Sequence, residues 1–116
     1  MLTDPQVVTV NAVAKSMPRV SSSGTAAIYK LADGTYRLDV SHQESKQRVR
    51  SLAKVTQQAV VVDPLTSAND YDELRIHFVM DRPEYGFTVT QCQQLVTGFK
   101  TWLTDAMVAQ LFGQES

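Results

Sequence analysis

Residues 47–62, QRVRSLAKVTQQAVVV, decide the fold. Val49, Ser51, Ala53 and Val55 fall on one side of an extended chain, with Arg48, Arg50, Leu52 and Lys54 on the other, the period of two of a strand with one covered and one open face. Fully extended, this segment would reach roughly 50 Å, whereas strands usually run about 5 or 6 residues, so a bend or bulge near Gln57 and Gln58 is expected. DELRIHFVM, residues 72–80, repeats the alternation more cleanly: Leu74, Ile76, Phe78 and Met80 point inward and Glu73, Arg75, His77 and Val79 outward. Both segments carry cations on the open side.

Upstream, Thr25–Leu31 and Thr35–Ser41 flank Asp33-Gly34, the strongest hairpin signal of the chain. With these two as turn residues, Leu31 faces Tyr36, Tyr29 faces Leu38 and Ala27 faces Val40 on an apolar side. Lys30 then stands beside Arg37, Ile28 beside Asp39 and Ala26 beside Ser41 on the other. His42–Lys46 reads as a polar bend. Nearer the N-terminus, Gln6–Val10 is a short β-rich run and Ala12–Val20 a second one, which Pro18 should end early or confine to a sheet edge; Ser21–Gly24 reads as a loop.

Downstream, Asp63–Asp70 (DPLTSAND) is a polar, turn-rich loop, and Arg82–Phe87, with Pro83 and Gly86, ends the last strand. No strand pattern follows. Thr90 and Gln93 have capping-box spacing at the head of a helical stretch, Gln91–Phe112, and Thr104-Asp105 reads as a second cap that divides it. Cys92, Leu95, Val96, Phe99, Trp102, Leu103, Ala106 and Met107 recur at three- and four-residue steps as one apolar stripe. Gly98, inside the first helix, costs about 1 kcal/mol relative to alanine, which close approach of another backbone would explain.

The fold class is therefore α+β: an antiparallel sheet with an N-terminal hairpin and two C-terminal helices. One domain is expected over 1–116, with hairpin and loop at 1–23, main sheet at 24–87 and helices at 88–116. Two short helices make a thin cover for so long a sheet. Edge-to-edge pairing of two subunits, each laying its helices on the other's sheet, would cover both, so an interlocked two-fold dimer is expected. Cys92, Leu95, Gly98, Phe99, Trp102 and Leu103 are its expected interface.

Composition narrows the function mainly by exclusion. The chain has 116 residues, 43% hydrophobic and 20% charged, with a formal net charge of -1, so any case for nucleic acid rests on where the cations sit. No segment has the roughly 18 apolar residues that a membrane span needs, and MLTDPQVVTV is unlike a secretory leader, so a soluble protein made in the cytoplasm is expected. The single cysteine, Cys92, excludes an internal disulfide. His42 and His77 lie on different elements, Asp81 and Glu84 flank Pro83 in a turn, and the glycines are isolated; no catalytic group, metal site or cofactor is expected.

YRLDVSHQES, KQRVRSLAKV, a polar loop, DELRIHFVM and then TVTQCQQLVTGF with its cysteine, in that order, resemble the coat proteins of the small single-stranded RNA bacteriophages, the leviviruses. The resemblance covers roughly Gly24–Ser116. It implies a coat subunit whose dimers assemble into an icosahedral shell, located in the virion and made in the cytoplasm of a bacterial host. It implies further that the exposed sheet face binds phage genomic RNA, including a hairpin through which such proteins repress replicase translation. The loop with Asp63, Pro64, Thr66, Ser67 and Asn69 would adjust to different symmetry environments in the shell.

Carried onto this chain, the RNA-facing positions fall on Arg37, Asp39 and Ser41, on Arg48, Arg50, Leu52 and Lys54, and on Glu73, Arg75 and His77; the residues expected to bind RNA are Lys30, Arg37, Ser41, Arg48, Arg50, Lys54, Arg75 and His77. Arg and Lys on a flat surface suit phosphates. Asp39 and Glu73 depart from that pattern by their charge, Leu52 by its apolarity, and the strand 72–80 has no outward aromatic to stack on a base. A shell-forming structural protein, a free dimeric RNA-binding regulator that forms no shell, and a small enzyme are the competing classes; the enzyme is poorest because no nucleophile, base and orienting group gather.

Overall fold

The computed structural model describes residues 2–62, 65 and 69–115. They fall into two compact units, residues 1–82 and 83–116.

The first unit is all β. Strands β1 (Gln6–Val10) and β2 (Val13–Met17) form a hairpin. Asn11 and Ala12 turn it with φ of 52° and 63°, the left-handed pair that matches the twist of a two-residue hairpin. Pro18 ends β2 as expected. Its carbonyl accepts from the Lys30 amide at 3.0 Å, so the chain enters a second sheet directly. That sheet has the order β3 (Arg19–Ser22), β4 (Ala26–Lys30), β5 (Tyr36–Ser45), β6 (Arg48–Val62) and β7 (Asn69–Pro83). Ser21 and Ser22, expected in a loop, instead pair with Ile28 and Ala27 past a register shift at Val20, an irregularity suited to an edge strand.

The β4–β5 register is the one the alternation predicts, from Ala26 opposite Ser41 to Lys30 opposite Arg37. The turn differs. Ala32–Thr35 lie outside the ladder, and of the Asp33-Gly34 pair only Gly34 takes positive φ, at 79°. Asp33 holds the loop by accepting from the Thr35 hydroxyl at 2.7 Å and amide at 2.9 Å, and these bonds keep its carboxyl pKa below the ordinary carboxylate value. The bend expected at His42–Lys46 is strand as far as Ser45. Lys46 and Gln47, at φ of 42° and 69°, then make a tight turn. No bulge interrupts the ladder with β5 near Gln57: pairing runs from Ser45–Arg48 to Tyr36–Gln57, because β5 supplies partners along that whole length. Asn69 and Asp70, expected in the polar loop, begin β7.

Among the described residues of this unit, Met17, Tyr29 and Leu38 are the buried hydrophobic ones, with Val8, Ala27, Leu31, Tyr36, Val40 and Val55 packed around them. They lie between the hairpin and one face of the sheet, where Lys15 also covers the Tyr36 ring at 5.0 Å. Arg19 fastens the edge. Its Nε and Nη2 each donate to the Tyr29 hydroxyl at 3.3 Å, and its amide donates to Asp4 Oδ1 at 2.8 Å.

The second unit holds α1 (Val89–Trp102) and α2 (Asp105–Phe112). The capping box is built by Thr88 and Gln91, not by Thr90 and Gln93. Both pairs have the required spacing, and the earlier one brings Val89 and Thr90 into the helix. Thr104 caps α2 as expected and accepts from the Met107 amide at 3.3 Å. Neither helix has a buried residue.

Candidate nucleic-acid interface

Residues paired across an antiparallel sheet share a face, so the ladders place the charged side chains. Lys30, Arg37 and Thr56 form one row, Ile28, Asp39 and Lys54 the next, and Ala26, Ser41 and Leu52 a third; Gln43–Arg50 and Ser45–Arg48 continue the series. Arg48 Nε bonds Asp81 Oδ1 at 2.9 Å, which puts Asp81, and with it His77, Arg75 and Glu73 at steps of two, on the same face of β7. The cations named for RNA thus lie on one surface. The core occupies the opposite one, where His42 Nδ1 lies 2.9 Å from Ser51 Oγ; the two histidines are on opposite faces.

Lys30, Arg37, Arg48, Arg50, Lys54 and Arg75 stand on this surface against Asp39, Glu73 and Asp81. Each carboxylate is engaged. Asp39 holds Arg37 at 2.7 Å and Lys54 at 3.3 Å, Asp81 holds Arg48, and Glu73 bonds Arg75. Among the described residues, Arg50 and Lys30 have no carboxylate partner. Arg50, Ser41, Gln43 and Leu52 line a shallow depression of about 260 Å³. Leu52 forms part of its wall, which gives that apolar departure a place.

Tyr71 escaped the sequence reading. It lies two residues before Glu73 and therefore on the cationic face, and it is exposed. The polar run ending in Asn69-Asp70 disguised the start of β7; counting the period of two back from Glu73 would have found it. The cationic face thus has the outward aromatic that residues 72–80 lack.

The expected interface residues form a stripe on α1 and its C-cap. Leu95 is 78% exposed, Phe99 53% and Trp102 50%, with the Phe99 and Trp102 rings 5.8 Å apart, while Cys92 is a half-buried free thiol. Leu103 is the C-cap and donates its amide to the Phe99 carbonyl. Among the described residues, a Cβ added at Gly98 would meet nothing within 4 Å. On β7 the apolar row is open as well, with Leu74 60% and Ile76 63% exposed. Of the expected assembly loop, Asp63, Pro64, Thr66 and Ser67 lie outside the described residues, and Asn69 opens β7.

Among the described residues no three His, Cys, Asp or Glu side chains gather as a metal site, and no helix is long and apolar enough to cross a membrane.

Comparison with known proteins gives a consistent picture. Residues 3–78 match the family described as phage phiCb5 coat protein. Among solved structures, the virus-like particle of bacteriophage AVE019 aligns at 13% identity and a TM-score of 0.80, over 96% of this chain and 94% of the other. That of Beihai levi-like virus 21 aligns at 14% identity and a TM-score of 0.75, over 100% and 97%. The bacteriophage EMS014 coat protein aligns at 14% identity and a TM-score of 0.66, over 86% and 72%. At these identities the structural likeness establishes the fold. A search of the curated proteins found no significant match.

Proposed function

The chain belongs to the phage phiCb5 coat-protein family, and from that membership we propose that it is a capsid subunit whose dimers close into an icosahedral shell with the cationic sheet face turned toward the genome. A coat protein is a component of the virus particle; synthesis in the bacterial cytoplasm is part of the proposal. Its role is structural, not enzymatic.

The observation that carries this reading is the division of labour between the two sheet faces. One buries Met17, Tyr29 and Leu38 against the hairpin; the other collects arginine and lysine. Arg50 and Lys30, unengaged by carboxylates, are the primary phosphate contacts. Arg37, Arg48, Lys54 and Arg75 are secondary ones, with Ser41 and His77 beside them, and Tyr71 offers a ring on which a base can stack. An RNA hairpin, with splayed loop bases, suits such a surface, and its capture would serve repression of replicase translation.

The dimer accounts for the open apolar surface. Leu95, Phe99, Trp102 and Leu103 would cover the partner's sheet, Cys92 would sit within the stripe, and Gly98 would admit the partner's backbone. Residues 1–116 then work as one coat-protein domain, completed by a second copy. The segment with Asp63, Pro64, Thr66, Ser67 and Asn69 would make contacts between dimers.

Expression of the full chain tests the proposal. Closed particles containing nucleic acid should appear by negative-stain microscopy and by absorbance; a product of small dimers alone, free of nucleic acid at low salt, contradicts it. Shortening residues 66–69 should leave dimers folded and abolish or change the shell. Arg50→Ala should weaken binding to RNA of many sequences alike and flatten the dependence of log K on log salt by roughly 0.7.

A further inference from the structure

The cationic face carries its own anions, and one is placed unlike the others. Asp39 stands two residues from Arg37 along β5 and directly opposite Lys54 on β6. Its carboxylate is divided between them, with Oδ1 at 2.7 Å from Arg37 Nε and Oδ2 at 3.3 Å from Lys54 Nζ. The Asp39 side chain is 19% exposed and that of Lys54 27%, whereas both members of the Arg48–Asp81 pair are 54% exposed. A single, mostly covered carboxylate thus serves two cations on the RNA-facing surface.

We propose that Asp39 is an internal counter-anion of the RNA site, a residue that stands where a phosphate would between Arg37 and Lys54 and tempers the binding of nucleic acid there. The inference rests on the reading of this face as an RNA-binding surface. An unpaired cation holds mobile anions that a phosphate sets free, and that release drives binding. A cation already held by a fixed carboxylate has fewer to release, and a phosphate must compete for it at short range. Asp39 therefore lowers the affinity of the face for nucleic acid at large and makes binding less salt-dependent than the number of cations suggests. The strands keep it in place: side chains in a period-two row and in a cross-strand pair stay adjacent without a long tether to immobilise.

The test measures affinity of the full chain for a labelled single-stranded RNA oligonucleotide of mixed sequence over a range of salt concentrations. Wild type, Asp39→Asn and Arg50→Ala are compared. Asp39→Asn should bind roughly three- to tenfold tighter at low salt, the effect of removing one nearby like charge from the phosphate's surroundings. Its slope of log K against log salt should steepen by about 0.7 for each cation released. Unchanged or weaker binding by Asp39→Asn, while Arg50→Ala still flattens the slope, overturns the counter-anion and leaves the RNA face standing; weaker binding would mean that Asp39 orients Arg37. If wild type does not bind, or binds no differently from Arg50→Ala, the RNA reading falls and the counter-anion with it. Asp39→Thr removes the same charge with a residue that strands favour, and gives the same readings if the asparagine variant does not fold.

Discussion

The β4–β5 hairpin and helix α1 have equally regular apolar patterns, one of period two and one of period three to four, yet they end in opposite states. In the hairpin, Tyr29 and Leu38 are buried beneath β1 and β2. In α1, Leu95, Phe99 and Trp102 stay at least half exposed. Periodicity says which side chains need cover; it is silent on whether the cover comes from the same chain. The proposed dimer makes that distinction matter, because in it the subunit would be finished only by its copy.

Trp102→Ala breaks or upholds this contrast most strongly. In the single chain the ring is half exposed, so its loss alone should be cheap. If a partner's sheet covers it, truncation should cost on the order of 3 to 5 kcal/mol in each subunit and remove folded protein instead of yielding monomers. Urea unfolding followed by circular dichroism at several protein concentrations measures this, and a stable folded monomer with unchanged helix content would refute the interlocked arrangement. Tyr29→Phe probes the self-sufficient side. It keeps the ring and removes the hydroxyl that accepts from Arg19, with an expected loss of about 1.5 kcal/mol in thermal or urea melts; no loss would mean that the long bonds at 3.3 Å contribute nothing.

Much of the fold was legible because independent local signals coincided. The β4–β5 register followed from apolar alternation meeting Asp33-Gly34, and the start of α2 from Thr104 and Asp105. What stayed hidden had a physical cause in each case. Two threonine–glutamine pairs of equal spacing left the start of α1 undecided between Thr88 and Thr90. Tyr71 was obscured because β7 opens on Asn69 and Asp70, which are poor strand formers. On the site, the sequence showed that Asp39 and Glu73 are negative, but only the cross-strand geometry shows what they hold. The same capping chemistry supplies a smaller test in the exposed unit. Thr104→Ala removes the acceptor for the Met107 amide and should cost about 1 kcal/mol, seen as a lower melting temperature, and no change would mean that contacts elsewhere hold the start of α2.

The smallest expected effect concerns the tight turns, which reversed the usual signal. Asp33-Gly34, the pair that favours a two-residue hairpin, sits in a longer loop, while Asn11-Ala12 and Lys46-Gln47 turn left-handed without a glycine. A non-glycine residue in that region crowds its Cβ against the following carbonyl, at a cost of about 1 to 2 kcal/mol. Lys46 and Gln47 accept it because the ladder from Ser45–Arg48 to Tyr36–Gln57 holds the strands in register on one side of the turn. Replacing the pair by Asn-Gly relieves the strain, and the added freedom of glycine in the unfolded chain takes back about 0.4 to 1 kcal/mol. A net gain of about 0.5 kcal/mol is therefore expected, seen as a slightly higher urea midpoint with an unchanged slope. A loss would mean that the Lys46 and Gln47 side chains make contacts that matter more than the turn geometry.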